Sequence, residues 1–446
     1  MSDQPRSAPG GLWAHLTSPG NWTDRRSVGV AWVIWLVVLV GVSIAVVQAP
    51  RDRTVTPNYR VAAERWVASA PLYDEGQHGY LYPPQSALWY VPLVKVPEPV
   101  GEVAWRVLCV GLYAGGLWRL MRLAGGFGAS GGGSGGELEG ERARWGGLAG
   151  PAGWAGLFFV ASLLTLPMLL GSLRNGQMNV VLAGTMMLAA AAAGEKRWWW
   201  ATAWLVLGVI AKPLGVVPML LLWAIHPAMW WRMPIGLTLY LLIGFAHPDL
   251  AYALEQNKAG VAKVLEAGAP GAGVFADWTG AMTRLGVDVP PMVATISRVL
   301  AAGGVLGLCW WADRRLGRVR GAIVLLGLAA GYLMLFNPRT EGNSYVIVTP
   351  AFAAFACWAL LTDWPGAERV RRWGIVAAVA CVGMSAVHEL WPENKDRVLR
   401  PAMTLVFMAW AASQAFARRP VAPFAETHEG LSPGPASGTL RSSGAE

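Results

Sequence analysis

The chain has 446 residues, of which 54% are hydrophobic and only 14% are charged. A soluble domain usually carries about 25% charged residues, so this composition excludes an ordinary water-facing surface. The net charge of +9 does not indicate nucleic-acid binding, because the basic residues form short clusters between apolar runs instead of one patch. Together with 25 tryptophans to anchor two interfaces, the composition predicts an all-α polytopic membrane protein.

Apolar runs separated by polar segments predict about twelve transmembrane helices. They lie near residues 28–49, 103–123, 148–170, 178–194, 198–211, 213–226, 233–247, 291–311, 321–337, 345–362, 374–390 and 401–417. The first run is long enough to span a membrane core of ~30 Å and exceeds a signal-peptide segment, so it is predicted to stay in the mature chain. The stretch 198–226 contains Lys212-Pro213 at its middle. Proline there removes a backbone donor, which predicts two short helices in place of one long helix.

The basic clusters set the predicted orientation. With twelve crossings they all fall in the cytoplasm, as the positive-inside rule requires; they are Arg25-Arg26, Arg142/Arg144, Lys196-Arg197, Arg314-Arg315/Arg318/Arg320, Arg369/Arg371-Arg372 and Arg418-Arg419. The sequence therefore predicts a cytoplasmic tail at 1–27, a transmembrane domain at 28–417 and a disordered cytoplasmic tail at 418–446. The large extracytoplasmic loops are predicted at 50–102 and 249–290.

Four polar clusters fall on the extracytoplasmic side of this topology. They are the first loop from Asp52 through Tyr59 to Tyr82, the turn Arg174–Asn179, the cation Lys212 at a helix break, and the segment Asn337–Tyr345. Polar side chains are costly at membrane depth, so such clusters indicate function. A carboxylate can act as a general base, and Arg or Lys can hold a phosphate. Because amides and aromatic rings suit a sugar, the set fits sugar transfer from a lipid-linked phosphate.

The spaced motifs Tyr59…Leu72-Tyr73-Asp74…Tyr82-Pro83-Pro84, Gly176-Gln177-Met178-Asn179 and Gly208…Lys212-Pro213 resemble glycosyltransferase family 87. The resemblance implies a GT-C fold and a bacterial cytoplasmic-membrane enzyme that inverts the anomeric centre. It also implies an extracytoplasmic site and a polyprenyl-phosphate sugar donor, such as polyprenyl-phosphate-mannose.

The chain departs from the family pattern at two places. The family usually places an aspartate four residues before the first-loop tyrosine, where this chain has Val55, and the nearest aspartate is Asp52. Many members carry a Ser/His-rich segment where this chain has Asn337–Tyr345, without histidine. Glu341 in that segment is therefore a second candidate for a catalytic or sugar-binding role.

These observations assign roles to ten residues. The predicted catalytic residues are Asp52 and Glu341, and the predicted substrate-binding residues are Tyr59, Tyr82, Gln177, Asn179, Lys212, Arg174, Arg339 and Asn343. Structural alternatives stay open: Asp52 can pair with Arg51 or Arg53, Glu341 with Arg339, the amides can cap a helix, and the tyrosines can anchor the interface.

The predicted partners are a polyprenyl-phosphate sugar, a lipid or glycan acceptor and membrane lipids. The four cysteines lie in apolar runs without a metal-ligand spacing, and neither a metal nor a cofactor is predicted. Two other functions remain open: a transporter or flippase for a lipid-linked or polar substrate, and an inactive relative that binds lipid-linked sugar.

Overall fold

The computed structural model describes residues 26–49, 52–76, 79–125, 153–268, 275–361, 368–390 and 396–416. The predicted tail at 418–446 and all but the last two residues of the predicted tail at 1–27 lie outside the described residues.

The described chain is built from helices, and none of its residues forms a strand. In chain order the helices are α1 (Arg26–Gln48), α2 (Thr56–Val67), α3 (Pro84–Ala87), α4 (Val91–Val94), α5 (Glu98–Ala124), α6 (Gly153–Asn175), α7 (Met178–Gly194), α8 (Trp198–Ala211), α9 (Val216–Ile225), α10 (Arg232–Ile243), α11 (Leu250–Ala267), α12 (Trp278–Arg284), α13 (Pro291–Leu316), α14 (Arg318–Phe336), α15 (Thr349–Leu361), α16 (Glu368–Leu390) and α17 (Asp396–Phe416). Short 3-10 turns lie at Pro213–Gly215, Pro227–Met229 and Gly342–Ile347.

Each of the twelve predicted spans overlaps one of these helices, although residues 148–152 of the third span lie outside the described residues. The all-α class is confirmed. The predicted break at Lys212-Pro213 is also present, because Lys212 has an extended backbone between α8 and the turn Pro213–Gly215. Proline cannot donate the backbone bond that would continue α8, so the helix ends before it.

Five described helices are long and apolar enough to cross a membrane, and the protein is a multi-pass membrane protein. These are α1, α5, α6, α13 and α14. A sixth candidate is the pair Pro213–Ile225 and Pro227–Ile243, which is bent by 118° at its break. The other apolar helices are shorter, such as the 14-residue α8. The count of twelve crossings stays a prediction.

Helix α7 lies at the centre of the bundle. Its sequence is apolar on every side, and nearly all of its residues are buried against α5, α6, α8 and α14. A helix that is apolar all round is stable only when it is surrounded by protein or lipid. The only strongly polar side chain of α7 is Asn179, at its first turn. The core therefore holds Asn179 at one end of the bundle.

The two predicted extracytoplasmic loops contain helices of their own. Helices α2, α3 and α4 belong to loop 50–102, and α11 and α12 belong to loop 249–290. Helix α11 holds the segment that precedes Tyr82: Gln256 Oε1 accepts from the backbone N–H of Leu72 at 2.9 Å, and the buried Lys263 Nζ donates to the carbonyl of Asp74 at 2.7 Å. Helix α11 of the second loop therefore packs against the described part of the first loop.

Candidate active site

The turn between α6 and α7 carries two of the predicted amide side chains. Gly176 adopts a φ of +69°, a conformation that glycine accepts without steric cost. The backbone N–H of Val55 donates to the carbonyl of Asn175 at 3.0 Å, and Trp105 Nε1 donates to the carbonyl of Gly176 at 2.9 Å. These bonds fix the turn, so that Gln177 and Asn179 stand at the start of α7.

A continuous chain of hydrogen bonds joins three of the four predicted polar clusters. Lys212 Nζ donates to Asn179 Oδ1 at 2.7 Å, and Asn179 Nδ2 donates to Gln177 Oε1 at 2.8 Å. Gln177 Nε2 then donates to Glu341 Oε2 at 3.1 Å. Asn179 Nδ2 also lies 3.2 Å from Ser344 Oγ. Gln177, Asn179 and Ser344 are buried, whereas Glu341 is exposed and Lys212 is half-buried. We call Glu341, Gln177, Asn179, Lys212 and Ser344 the polar network.

The first loop contributes an aromatic wall beside this network. Tyr82 is half-buried, and its ring centroid is 5.9 Å from Lys212 Nζ, a distance at which a cation is attracted to an aromatic face. Tyr59 is buried behind Tyr82 with their ring centroids 5.8 Å apart. The Tyr59 hydroxyl oxygen accepts from the backbone N–H of Met178 at 3.4 Å. Burial raises the pKa of Tyr59, so this phenol stays protonated at neutral pH. Tyr82 therefore borders the network, while Tyr59 supports the turn.

Asp52 and Arg174 lie at the edge of the site and pair with each other. Arg174 Nη2 is 3.7 Å from Asp52 Oδ2, and the Asp52 side chain is 63% exposed. Of the two alternative partners predicted for Asp52, Arg51 lies outside the described residues. Among the described residues Asp52 pairs with Arg174, 122 positions away, and forms no ion pair with Arg53. Arg174 Nη2 also donates to the carbonyl of Ala49 at 3.1 Å, which ties α6 to the end of α1.

Arg339 and Asn343 flank Glu341 in the segment between α14 and α15. The Arg339 guanidinium carbon is 5.4 Å from the ring centroid of Phe275. Among the described residues Arg339 forms no ion pair with Glu341, and its buried Nη1 has no hydrogen-bond partner. The backbone carbonyl of Asn343 accepts from Ser172 Oγ at 2.9 Å, which joins this segment to α6.

The model of one protein family, "Glycosyltransferase family 87", matches residues 80–384, which is more than half of the chain. The chain belongs to glycosyltransferase family 87. The matched region contains Tyr82, Gln177, Asn179, Lys212 and Glu341, whereas Asp52 and Tyr59 precede it. The family membership makes this protein a membrane glycosyltransferase. The roles of its individual residues stay predictions.

Two crystal structures of ArnT from Cupriavidus metallidurans are similar to this family 87 chain. The apo structure has 16% sequence identity, with 86% of this chain and 78% of ArnT covered and a TM-score of 0.39. The structure bound to undecaprenyl phosphate has 14% identity, with coverage of 85% and 77% and a TM-score of 0.38. No curated protein matches the chain.

Val55 occupies the position where family 87 was expected to carry an aspartate. Val55 is the N-cap residue of α2, without a side-chain capping bond. Its backbone N–H donates to the carbonyl of Asn175, at the end of α6. The next residue, Thr56, donates through Oγ1 to Glu102 Oε2 at 2.7 Å. Glu102 is 2% exposed, so it reaches the start of α2 from inside the protein.

The buried ion pair of Glu102 and Arg106 was not predicted from the sequence. Arg106 Nη1 donates to Glu102 Oε2 at 2.6 Å, and the two side chains are 0% and 2% exposed, respectively. Their spacing of four residues at the start of an apolar helix was the available signal, but the same spacing is common at exposed helix surfaces.

An apolar groove of about 530 Å³ lies between α9, α13 and α14 of this family 87 protein. It begins at Val217, in the first turn of α9 after the Lys212 break, and continues to Trp230. Tyr332 lines it from α14.

Among the described residues, no group of three or more His, Cys, Asp or Glu side chains lies together in a metal-binding arrangement.

Proposed function

We propose that this glycosyltransferase moves a sugar, mannose or a similar hexose, from a polyprenyl-phosphate donor to an acceptor hydroxyl with inversion. The polar network carries this proposal. It aligns a carboxylate, two amides and an ammonium group in one hydrogen-bonded row, from Glu341 to Lys212. This is the set of groups that deprotonation of an acceptor, sugar binding and phosphate stabilisation require.

Glu341 is the proposed general base. Its carboxylate is exposed and accepts from the amide of Gln177, which orients the carboxylate within the network. Asp52 is paired with Arg174 at the edge of the site, outside the polar network. This difference favours Glu341 over Asp52 for the role.

The proposed reaction is a single displacement. The acceptor oxygen attacks the anomeric carbon, its proton passes to Glu341, and the bond between the anomeric carbon and the phosphate oxygen breaks. Polyprenyl phosphate leaves with the bonding electrons, and Lys212 stabilises its negative charge. Arg174 and Arg339 are further candidate phosphate ligands, and Gln177, Asn179 and Asn343 are candidate sugar ligands. Tyr82 is proposed to border the sugar.

The groove along α9 suits the polyprenyl chain. Its lining is apolar, and its first lining residue, Val217, follows Lys212 by five positions in the chain. The proposal therefore places the phosphate of the lipid at Lys212 and its apolar chain in this groove. The proposal places the site on the extracytoplasmic face of a bacterial cytoplasmic membrane, with both termini in the cytoplasm.

The test is transfer of radiolabelled sugar from polyprenyl-phosphate-mannose by the purified protein into a total lipid and glycan extract. Glu341→Gln keeps the shape of the side chain and removes its basicity, so turnover should fall by about 10²-fold or more while donor binding persists. Asp52→Asn should have a smaller effect. Glu255→Gln is the matched control, because Glu255 is exposed on α11, and it should keep wild-type turnover.

Two results would contradict the proposal. Wild-type turnover in Glu341→Gln would remove the assigned base. Absence of transfer from any polyprenyl-phosphate sugar, with donor binding retained, would favour an inactive sugar-lipid-binding relative or a flippase.

A further inference from the structure

A buried ion pair outside the polar network connects two parts of the candidate site that are distant in sequence. Glu102 and Arg106 lie near the start of α5, and Arg106 is completely buried. Charged side chains are seldom buried to this degree unless they are paired. The proposed transfer reaction uses neither group directly, so their presence beside the site calls for another role.

Each member of the pair contacts the end of another helix. Glu102 Oε2 accepts from Thr56 Oγ1 at 2.7 Å, at the first residue of α2. Arg106 Nη2 donates to the carbonyl of Arg174 at 2.9 Å, in the last turn of α6. The N-terminus of a helix favours a negative charge and its C-terminus a positive one. The polarity of the pair therefore matches both helix ends.

Arg106 also lies directly beneath the turn that precedes α7. A Cβ atom added to Gly176 would be 2.9 Å from Arg106 Cζ and 2.5 Å from Thr56 Cγ2. The neighbouring Trp105 donates to the carbonyl of the same glycine at 2.9 Å. The turn thus packs against Arg106 and Trp105. The residue that follows the glycine, Gln177, belongs to the polar network, so the position of the turn sets the position of that amide.

We propose that Glu102 and Arg106 are positioning residues for sugar transfer. The pair fixes α2 against the turn after α6, which sets the position of the amides of Gln177 and Asn179 relative to the first loop. The proposal rests on the proposed function, because it gives the pair a role in that reaction. Neither side chain touches the substrate; both act through the backbone of the turn.

The kinetic test compares Arg106→Lys with Arg119→Lys. Lysine keeps the positive charge, but it lacks the planar guanidinium that donates to Glu102 and to the Arg174 carbonyl at the same time. Arg119 is the matched control, because it lies on the same helix and pairs with Glu195 away from the site. In Arg106→Lys, kcat should fall by about ten-fold or more, since small displacements of reacting groups are costly.

The KM for the donor separates positioning from general damage. It should stay within about three-fold of wild type in Arg106→Lys, because the donor-binding side chains are retained and only the alignment changes. Arg119→Lys should keep both constants. A wild-type kcat in Arg106→Lys, or an equal fall of kcat in both variants, would overturn the proposal.

Amide hydrogen exchange tests the same proposal without any activity. The N–H of Val55 donates to the Asn175 carbonyl, and the N–H of Gln177 donates to the Ser172 carbonyl. In Arg106→Lys, peptides covering 54–60 and 172–178 should exchange about ten-fold faster or more, whereas peptides of α7 beyond residue 180 should exchange as in the wild type.

The exchange measurement distinguishes failure of the positioning role from failure of the proposed sugar transfer. Unchanged exchange at 54–60 and 172–178, or loosening of the whole of α7, would overturn the positioning role. If the wild-type protein transfers no sugar, the proposed function fails, and faster exchange confined to the two segments would still show that Arg106 fixes the turn.

Discussion

Lys212 occupies a position where an ammonium group is costly unless it has partners. It stands at a break between two apolar helices, with Asn179 Oδ1 at 2.7 Å and the Tyr82 ring at 5.9 Å. An ammonium has three donors, and among the described residues Asn179 is the only hydrogen-bond acceptor of the Lys212 ammonium. A neutral amide does not compensate the charge. A negatively charged ligand is therefore the partner that this position favours.

Replacement of Lys212 by glutamine should lower kcat for sugar transfer by about 10²–10³-fold, which is the usual cost of removing one donor from a developing negative charge. Lys212→Arg should retain part of the activity, because the charge persists while its position changes. The measurement is steady-state transfer from the labelled donor. Lys95→Gln is the control, since Lys95 is exposed in the first loop. Equal turnover of Lys212→Gln and Lys95→Gln would exclude Lys212 from phosphate stabilisation.

The residues of the polar network could be predicted from the sequence because polar groups are rare in so apolar a chain. Gln177, Asn179 and Lys212 interrupt or begin apolar runs, which makes them visible without a structure. Glu102 and Arg106 were not predicted. Their burial depends on the packing of α2 and α6 over the start of α5, and no local pattern records contacts with Thr56 or Arg174.

At the scale of the elements, the break between α8 and α9 determines where Lys212 points. The backbone of Gly215 packs against the last turns of α8, and a Cβ atom added there would be 2.7 Å from the backbone carbon of Gly208. This approach is possible only when neither backbone is shielded by a side chain. The close contact folds the chain back at Lys212 and holds its side chain over Asn179.

Gly215→Ala should destabilise the protein by about 1–3 kcal/mol. The added methyl group would clash with backbone atoms, which cannot move away by a change of side-chain rotamer. Turnover should also fall, since relief of the clash moves the Lys212 break. Gly307→Ala on α13 is the matched control, because a Cβ atom there meets nothing within 4 Å. The check is thermal unfolding together with transfer activity. Equal melting temperatures for the two variants would show that the Gly215 contact is not tight.

The positions of the helices followed from hydrophobic runs, but the number of crossings did not. A run of apolar residues indicates that a helix is buried in protein or lipid. It does not give the tilt of the helix, and therefore does not show whether the helix crosses the whole membrane. Helices α9 and α10 were predicted as separate spans, and the bend of 118° at the Pro227 break also fits a broken span or a re-entrant loop. Deciding between these requires the packing of α9 against α13 and α14, which the sequence does not record.

At the scale of the whole molecule, the two ends of the bundle differ in their charged groups. One end carries the polar network. The other carries arginines over tryptophan rings: Arg232 lies 4.2 Å from the Trp231 centroid and Arg314 lies 4.0 Å from the Trp310 centroid. Tryptophan and arginine together suit a membrane interface, and an excess of basic residues is typical of the cytoplasmic side. The separation supports the orientation that the basic clusters predict.

Cysteine labelling in intact cells tests this orientation. The four native cysteines are all buried, so a membrane-impermeant maleimide should label the wild-type protein weakly. Asn58 is exposed on α2 at the end that carries the polar network, and Arg197 is exposed at the opposite end, before α8. Asn58→Cys should therefore react in intact cells, whereas Arg197→Cys should react only after the membrane is permeabilised, because the reagent cannot cross the bilayer. The reverse pattern would place the network in the cytoplasm. There, nucleotide-linked sugars would be available as donors, and the argument for a polyprenyl-phosphate donor would lose its topological support.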